Sequence, residues 1–245
     1  MLVVRQADKS GGASHGACVV LSVPFLALGV AGMAISGTAL STANVYMAFF
    51  SVLLIWGWIE LAFLAGIITG PERRDCPPGL DGWARFVRAW HTLSHHELLL
   101  LCGLLIVTVT TRGSENTFGF WAYLILFVAR ISAKLNLFFG VPRINTEFVP
   151  VPLQHLKSYF RQGNPTIVFF LGVTFLSLAT ACFAERLFTA ETVSTQVGFA
   201  LLFALATLAI LEHWLMVIPL PDAKLWRWML PALPTTSKTG QSHEL

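Results

Sequence analysis

Six side chains that carry charge or can bind a proton or metal stand inside stretches built otherwise from Leu, Ile, Val, Ala and Phe. They are Glu60, Glu97, Arg130, Lys134, Glu212 and His213. His91, His95 and His96 lie at the mouth of one such stretch. Ionisable groups at membrane depth are costly and are functional candidates by default. Arg130 and Lys134 are four residues apart and share one helix face, as do His91 and His95. His95, His96 and Glu97 are consecutive and point in different directions. Three carboxylates, two cations and several imidazoles admit four chemistries. One is an ion-pair network that fixes helix packing. The second is a tetrapyrrole site with a histidine as axial ligand to magnesium or iron. The third is a carboxylate–histidine metal site, although the Glu-x-x-His spacing of di-iron bundles is missing. The fourth is proton or ion transport, which predicts internal repeats that the sequence lacks. Spacing alone does not separate them, and no metal set can be assigned. The sequence holds no Gly-rich phosphate loop, nucleophile elbow or H-E-x-x-H.

The surrounding composition says what must hold these groups. Of 245 residues, 55% are hydrophobic and 12% charged, against about 25% charged in soluble domains. Mean hydropathy is +0.68. A soluble domain, a disordered chain and a disulfide-rich module are excluded. A net charge of +3 is too small to imply nucleic-acid binding. Cys18, Cys76, Cys102 and Cys182 are far apart and form neither a disulfide framework nor a zinc ribbon.

Six stretches reach the roughly 20 apolar residues that a span needs. They run over about 17–36, 43–69, 91–111, 118–139, 164–184 and 194–218. Proline clusters bracket most of them, and the runs are too long and too little alternating for barrel strands. The expected fold is an all-α polytopic membrane helix bundle of about six spans. It has a tail over 1–16, one transmembrane domain over 17–218 and a cytoplasmic tail over 219–245. Twelve Lys and Arg fall in the two tails and the 70–90 and 140–163 loops, against Arg112 and Arg186 in the other loops. This bias predicts that both termini are cytoplasmic. The first stretch is the weakest. Its length, Pro24 and lack of an A-x-A site argue against a signal peptide.

Within 151–162 the run VPLQHLKSYFR reads as a short helix on the inner membrane surface, or else as a connector. After Pro219, Asp222 is placed to cap a turn, and Trp226 and Trp228 suit the headgroup zone.

Counting from these span ends at 1.5 Å per residue puts Glu60 and Arg130 roughly 15 Å deep. Glu97, Lys134, Glu212 and His213 come out roughly 7–10 Å deep. Four helices thus place a polar layer in the cytoplasmic half. Trp56, Trp58, Phe63, Trp121, Phe127, Phe138, Phe139 and Trp214 either line a flat ring system or face lipid and neighbouring helices.

Several longer motifs go further. These are WGWIELAFLAGIITG from Trp56, then PERRDCPPGLDGWARF, HHELLLL at 95–101, ARISAKLNLFFGVPRINTEF at 129–148, LKSYFR at 156–161 and LEHWLMVIPLPDAKLWRW at 211–228. Together they resemble the photosynthetic complex assembly protein 2 family, the PuhE type, over about residues 44–228. The resemblance implies a multi-pass protein of a bacterial inner (cytoplasmic or intracytoplasmic) membrane that serves reaction-centre assembly and bacteriochlorophyll supply or its regulation. It implies no settled enzymatic activity. The implied partners are the lipid bilayer and reaction-centre subunits or bacteriochlorophyll-synthesis enzymes. The implied ligand is bacteriochlorophyll or a tetrapyrrole precursor, with His95, His96, His213, Arg130 and Lys134 as its candidate contacts. The family's shared polar positions fall on Glu60, His96, Glu97, Arg130, Lys134, Asn136, Glu212 and His213. A membrane metalloenzyme of late bacteriochlorophyll biosynthesis and a structural subunit of the reaction-centre/light-harvesting complex stand as alternatives. The family pattern carries another apolar segment before the region matching Val19–Ser36, where this chain reads MLVVRQADKSGG.

Overall fold

The computed structural model describes residues 13–218. Among them every regular element is helical, with one isolated bridge between Val141 and Gln162. The helices are α1 (Ala13–Leu21), α2 (Val23–Ser36), α3 (Thr42–Leu64), α4 (Gly82–Thr110), α5 (Phe118–Phe139), α6 (Ile167–Phe188) and α7 (Val193–Leu215). Between α5 and α6 lie a 3-10 turn, Thr146–Phe148, and a longer 3-10 segment, Val151–Tyr159. Six helical stretches are long and apolar enough to cross a membrane, the first being His15–Ser36. The bundle is the polytopic one expected. The readings of Asp222, Trp226 and Trp228, and most of both tails, lie outside the described residues.

Three span boundaries differ from the sequence reading. The first span is broken into α1 and α2 at Ser22, whose hydroxyl donates to the Val19 carbonyl (2.8 Å) just before Pro24. The second span ends at Leu64 rather than 69, because Gly66 takes φ +72 and turns the chain back. The apolar run continues past the helix end because Ile68 packs on Ala62 and Ala65, and Thr69 is buried. The third helix starts nine residues early, at Gly82. Its first turns, WARFVRAW, are amphipathic and too polar for a hydropathy window, yet fully helical.

Helices α3 and α5 are the hubs. Helix α3 touches α1, α2, α4, α5 and α7, and α5 touches α3, α4, α6 and α7. Val45, Val52, Ile55 and Ile59 on α3 meet Leu100 and Val107 on α4, Ala122 and Tyr123 on α5, and Leu202 and Ala206 on α7. Small residues let backbones approach where lipid supplies no hydrophobic drive between helices. At Gly103 a Cβ would lie 2.2 Å from the Tyr123 hydroxyl. That hydroxyl donates to the Leu100 carbonyl at 2.9 Å, tying α5 to α4.

The turn after α3 crosses α4 at the level of the histidines. The Thr69 carbonyl accepts the His96 N–H (3.0 Å), and the Glu72 N–H donates to the His91 carbonyl (3.3 Å). Only glycine fits between them, since a Cβ on Gly70 would stand 2.0 Å from the His91 oxygen. This contact fixes the height at which α4 offers His96 to the bundle. Gly70→Ala should therefore lower the thermal midpoint in detergent, at a cost of about 2 kcal/mol. An unchanged midpoint would show that the turn does not bear on the helix.

Candidate functional site

Helix α5 carries two polar stripes. Residues two apart on a helix lie about 200° apart in angle, so Arg130 and Lys134 face one way and Ser132 and Asn136 the other. The charged pair meets α3 and α4, and Ser132 meets α7.

On the charged side five residues line up in a chain of two bonded groups that face each other at His96 and Glu60. Arg130 Nη2 donates to Glu60 Oε2 at 2.6 Å. Lys134 Nζ donates to Glu97 Oε1 at 2.5 Å and reaches His96 Nδ1 at 2.9 Å. An ammonium only donates, so Nδ1 accepts and the imidazole proton belongs on Nε2. Nε2 faces Glu60 Oε1 at 3.5 Å. The sequence Glu97–Lys134–His96–Glu60–Arg130 thus alternates in sign around a neutral imidazole and sums to zero charge. His96 is fully buried, and its ring lies 4.2 Å from that of Phe63, which also faces both cations. Buried charges persist only when paired and hydrogen-bonded. One joint is loose, because neither His96 Nε2 nor Glu60 Oε1 has a hydrogen-bond partner.

The remaining candidates fall elsewhere. His213 is fully buried, but both ring nitrogens are engaged, Nδ1 with the Ala209 carbonyl (2.8 Å) and Nε2 with Ser132 Oγ (2.9 Å). Gly172 makes room for that pair, since its Cβ would fall 2.2 Å from Ser132 Oγ. Asn136 is fully buried with both amide atoms unpartnered. Glu212 is exposed and lines a cleft with Glu60, Arg130 and Trp56. His95 and His91 are exposed and lie outside the chain of five. The polar layer is therefore an ion network on three helices, with a separate histidine brace on the fourth. The estimated depth of Glu60 also changes. It lies four residues before the end of α3, about 6 Å along the axis, because the helix stops at Leu64.

Ser132 was not legible as a partner of His213, although its i, i+4 relation to Asn136 marks a second polar stripe. Among the described residues, no three of His, Cys, Asp and Glu come together in a way that could hold a metal ion.

Two cavities meet at Lys134. One, of about 220 Å³, lies between the end of α3 and the 3-10 segment, with Lys134 and Arg130 in an otherwise mainly apolar wall that includes Phe63, Leu93, Phe138 and Phe148. The other, of about 210 Å³, runs between α4 and α5 past Phe86, Leu93, Phe127 and Ile131. The 3-10 segment covers the first. Three residues per turn put Leu153, Leu156 and Tyr159 on one face, and all three are buried. Leu153 and Leu156 pack on Phe63 and Leu93. The surface helix expected at 151–162 is thus a 3-10 cover whose apolar face is spent on protein.

Outside the spans a clamp holds this cover. Glu72 takes Arg74 Nε at 3.2 Å and Arg88 Nη2 at 2.8 Å. The Tyr159 hydroxyl donates to the Arg74 carbonyl and accepts from Arg88 Nε, and Ser158 Oγ accepts the Cys76 N–H.

A family described as "Protein of unknown function (DUF3623)" matches residues 1–237. The chain belongs to that family. A Rhodobacter capsulatus relative, described as an uncharacterized 30.4 kDa protein in the puhA 5' region, is 47% identical over 236 residues. The match covers 96% of this chain and 86% of the relative. No solved structure matches.

Two expectations follow from this geometry. Arg130→Ala leaves Glu60 without its cation and should destabilise the protein by about 3 kcal/mol, lowering abundance in membranes. Normal abundance would place Arg130 against water or a ligand instead. The backbone N–H of Arg74 foremost, with the Arg74 and Arg88 guanidiniums, holds the Glu72 carboxyl below its usual range against a smaller opposing effect of desolvation. A depressed folded-state pKa gives stability that is present above the ordinary carboxylate pKa and lost as pH falls through the folded value. Amide protection factors at residues 72–76, corrected for the intrinsic pH dependence of exchange, should therefore fall on acidification below the ordinary carboxylate range. Glu72→Gln should remove that acid limb, and an acid limb that persists in it would place the titrating group elsewhere.

Proposed function

We propose that this protein is a PuhE-type accessory factor for photosynthetic reaction-centre assembly and bacteriochlorophyll supply. Its basic loops and both termini lie on the cytoplasmic side of the bacterial inner membrane. It acts by holding a tetrapyrrole, or a pigment-synthesis or assembly partner that carries one. The link to photosynthesis gene clusters is supported by the relative from the puhA 5' region and by the motifs at 129–148 and 211–228.

The observation that carries the ligand class is the covered cavity at Lys134 and Arg130. Its walls are aromatic and aliphatic, and its charged groups are two cations. Such a site suits a flat apolar molecule with a carboxylate, which Lys134 or Arg130 would receive in exchange for Glu97 or Glu60. Axial ligation fits less readily. His213 has both nitrogens bonded, and His96 would have to move its proton from Nε2 and release Lys134. His95 is the exposed imidazole of this helix turn and remains accessible to a metal centre. Bacteriochlorophyll or its precursor would supply the pigment to be delivered. The residues of this chain supply binding and orientation, with no bond-making step assigned to them.

The test is an absorption spectrum of tagged protein purified in mild detergent from phototrophically grown membranes. A near-stoichiometric tetrapyrrole band is expected, strongly reduced in Lys134→Met and retained in Glu212→Gln. A colourless, folded protein would remove the pigment-holding role and leave partner binding.

A further inference from the structure

A second site lies at the outer end of the α4/α5 seam. A hollow of about 380 Å³ is lined by Trp83, Arg85, Phe86, Phe138, Phe139 and Arg161. Among the described residues neither guanidinium takes part in an ion pair, so two positive charges share one small concavity. Arg85 is held in place by neutral partners only. It donates to the Phe138 carbonyl at 3.3 Å and the Tyr159 carbonyl at 2.5 Å, and its guanidinium lies 4.2 Å over the Phe138 ring. Carbonyl dipoles orient a guanidinium without cancelling its charge. Arg161 is exposed, its backbone N–H donating to the Leu137 carbonyl and its carbonyl accepting from the Val141 N–H.

Phe86 and Phe138 line both this hollow and the apolar cavity between α4 and α5, their rings 5.6 Å apart and edge to face. The two spaces are therefore neighbours across this ring pair. The inner one reaches Leu101 on α4 and Phe127 on α5. From Phe86 to Leu101 is about 22 Å along a helix axis, against roughly 15 Å for one leaflet of hydrocarbon. Glu97 and Lys134, the polar residues along it, are bonded to each other. A basic hollow beside an apolar groove longer than one leaflet has the layout of an amphipathic anion with a long tail.

We infer that this seam binds one anionic phospholipid of the surrounding bilayer. Arg85 and Arg161 take the phosphate, Trp83 and Phe139 flank the headgroup, and an acyl chain lies along the groove toward Leu101. The site goes beyond the pigment reading and does not rest on it, because the head is received by arginines that line neither cavity at Lys134.

Native mass spectrometry of the full chain, released from micelles doped with lipid, tests this. The probes are phosphatidylglycerol and phosphatidylcholine with identical acyl chains, with and without millimolar inorganic phosphate. One phosphatidylglycerol per chain should be retained and phosphatidylcholine largely lost. Inorganic phosphate should not displace the lipid. Arg161→Gln should lower retention about fivefold, the effect of one surface cation. Arg85→Gln should do the same, and if that variant fails to fold, the exposed Arg161 carries the test. Equal retention of both lipids, unchanged retention in Arg161→Gln, or displacement by inorganic phosphate alone would each overturn the proposal. The lipid test rests on Arg85 and Arg161, which line neither cavity at Lys134, so its outcome is read separately from that of the pigment test.

Discussion

Charge placed at membrane depth has to be neutralised by charge from another helix, because neither lipid nor an apolar core supplies a partner. Three helices of this bundle meet that requirement together. Glu60 comes from α3, His96 and Glu97 from α4, and Arg130 and Lys134 from α5. No single helix is complete in this respect. The register of α3, α4 and α5 is therefore set by the ion chain as much as by the apolar packing around it. His96 is the middle of the chain because a neutral imidazole can accept from an ammonium on one side and face a carboxylate on the other.

Several otherwise unrelated details serve that chain. Gly70 admits the turn that bonds to His96 and His91. Gly103 admits Tyr123, which locks α5 to α4 one turn beyond Glu97. The 3-10 segment closes the cavity over Lys134, and the Glu72 clamp holds the loop that meets it. The second stripe of α5 gives His213 an uncharged partner and keeps the far side of the helix neutral. The same helix thus separates a charged half of the bundle from a half braced by hydrogen bonds.

Much of this was legible in the residues. The limits of α5 follow from its apolar run, and the i, i+4 spacing of Arg130 and Lys134 forecasts their common face. The identity of their partners was not legible, because helix pairing decides it. Glu212 has the same chemistry as Glu60 and Glu97 but stands exposed on α7. The end of α3 was misplaced because hydropathy does not register the backbone reversal at Gly66. The start of α4 was missed because an amphipathic extension with Arg85 and Arg88 dilutes the apolar count. The 3-10 cover was hidden because a three-residue period over nine residues resembles a short surface helix.

The central claim is that the buried charges depend on partners from neighbouring helices and are not independent of one another. A double-mutant cycle of Glu60→Gln and Arg130→Met, read as thermal midpoints of the purified protein in one detergent, tests it most directly. The account predicts that each single change destabilises strongly. It also predicts that the double variant is more stable than the sum of the two by about 1 kcal/mol or more. Strictly additive losses would contradict it, because they would mean that Glu60 and Arg130 do not depend on one another.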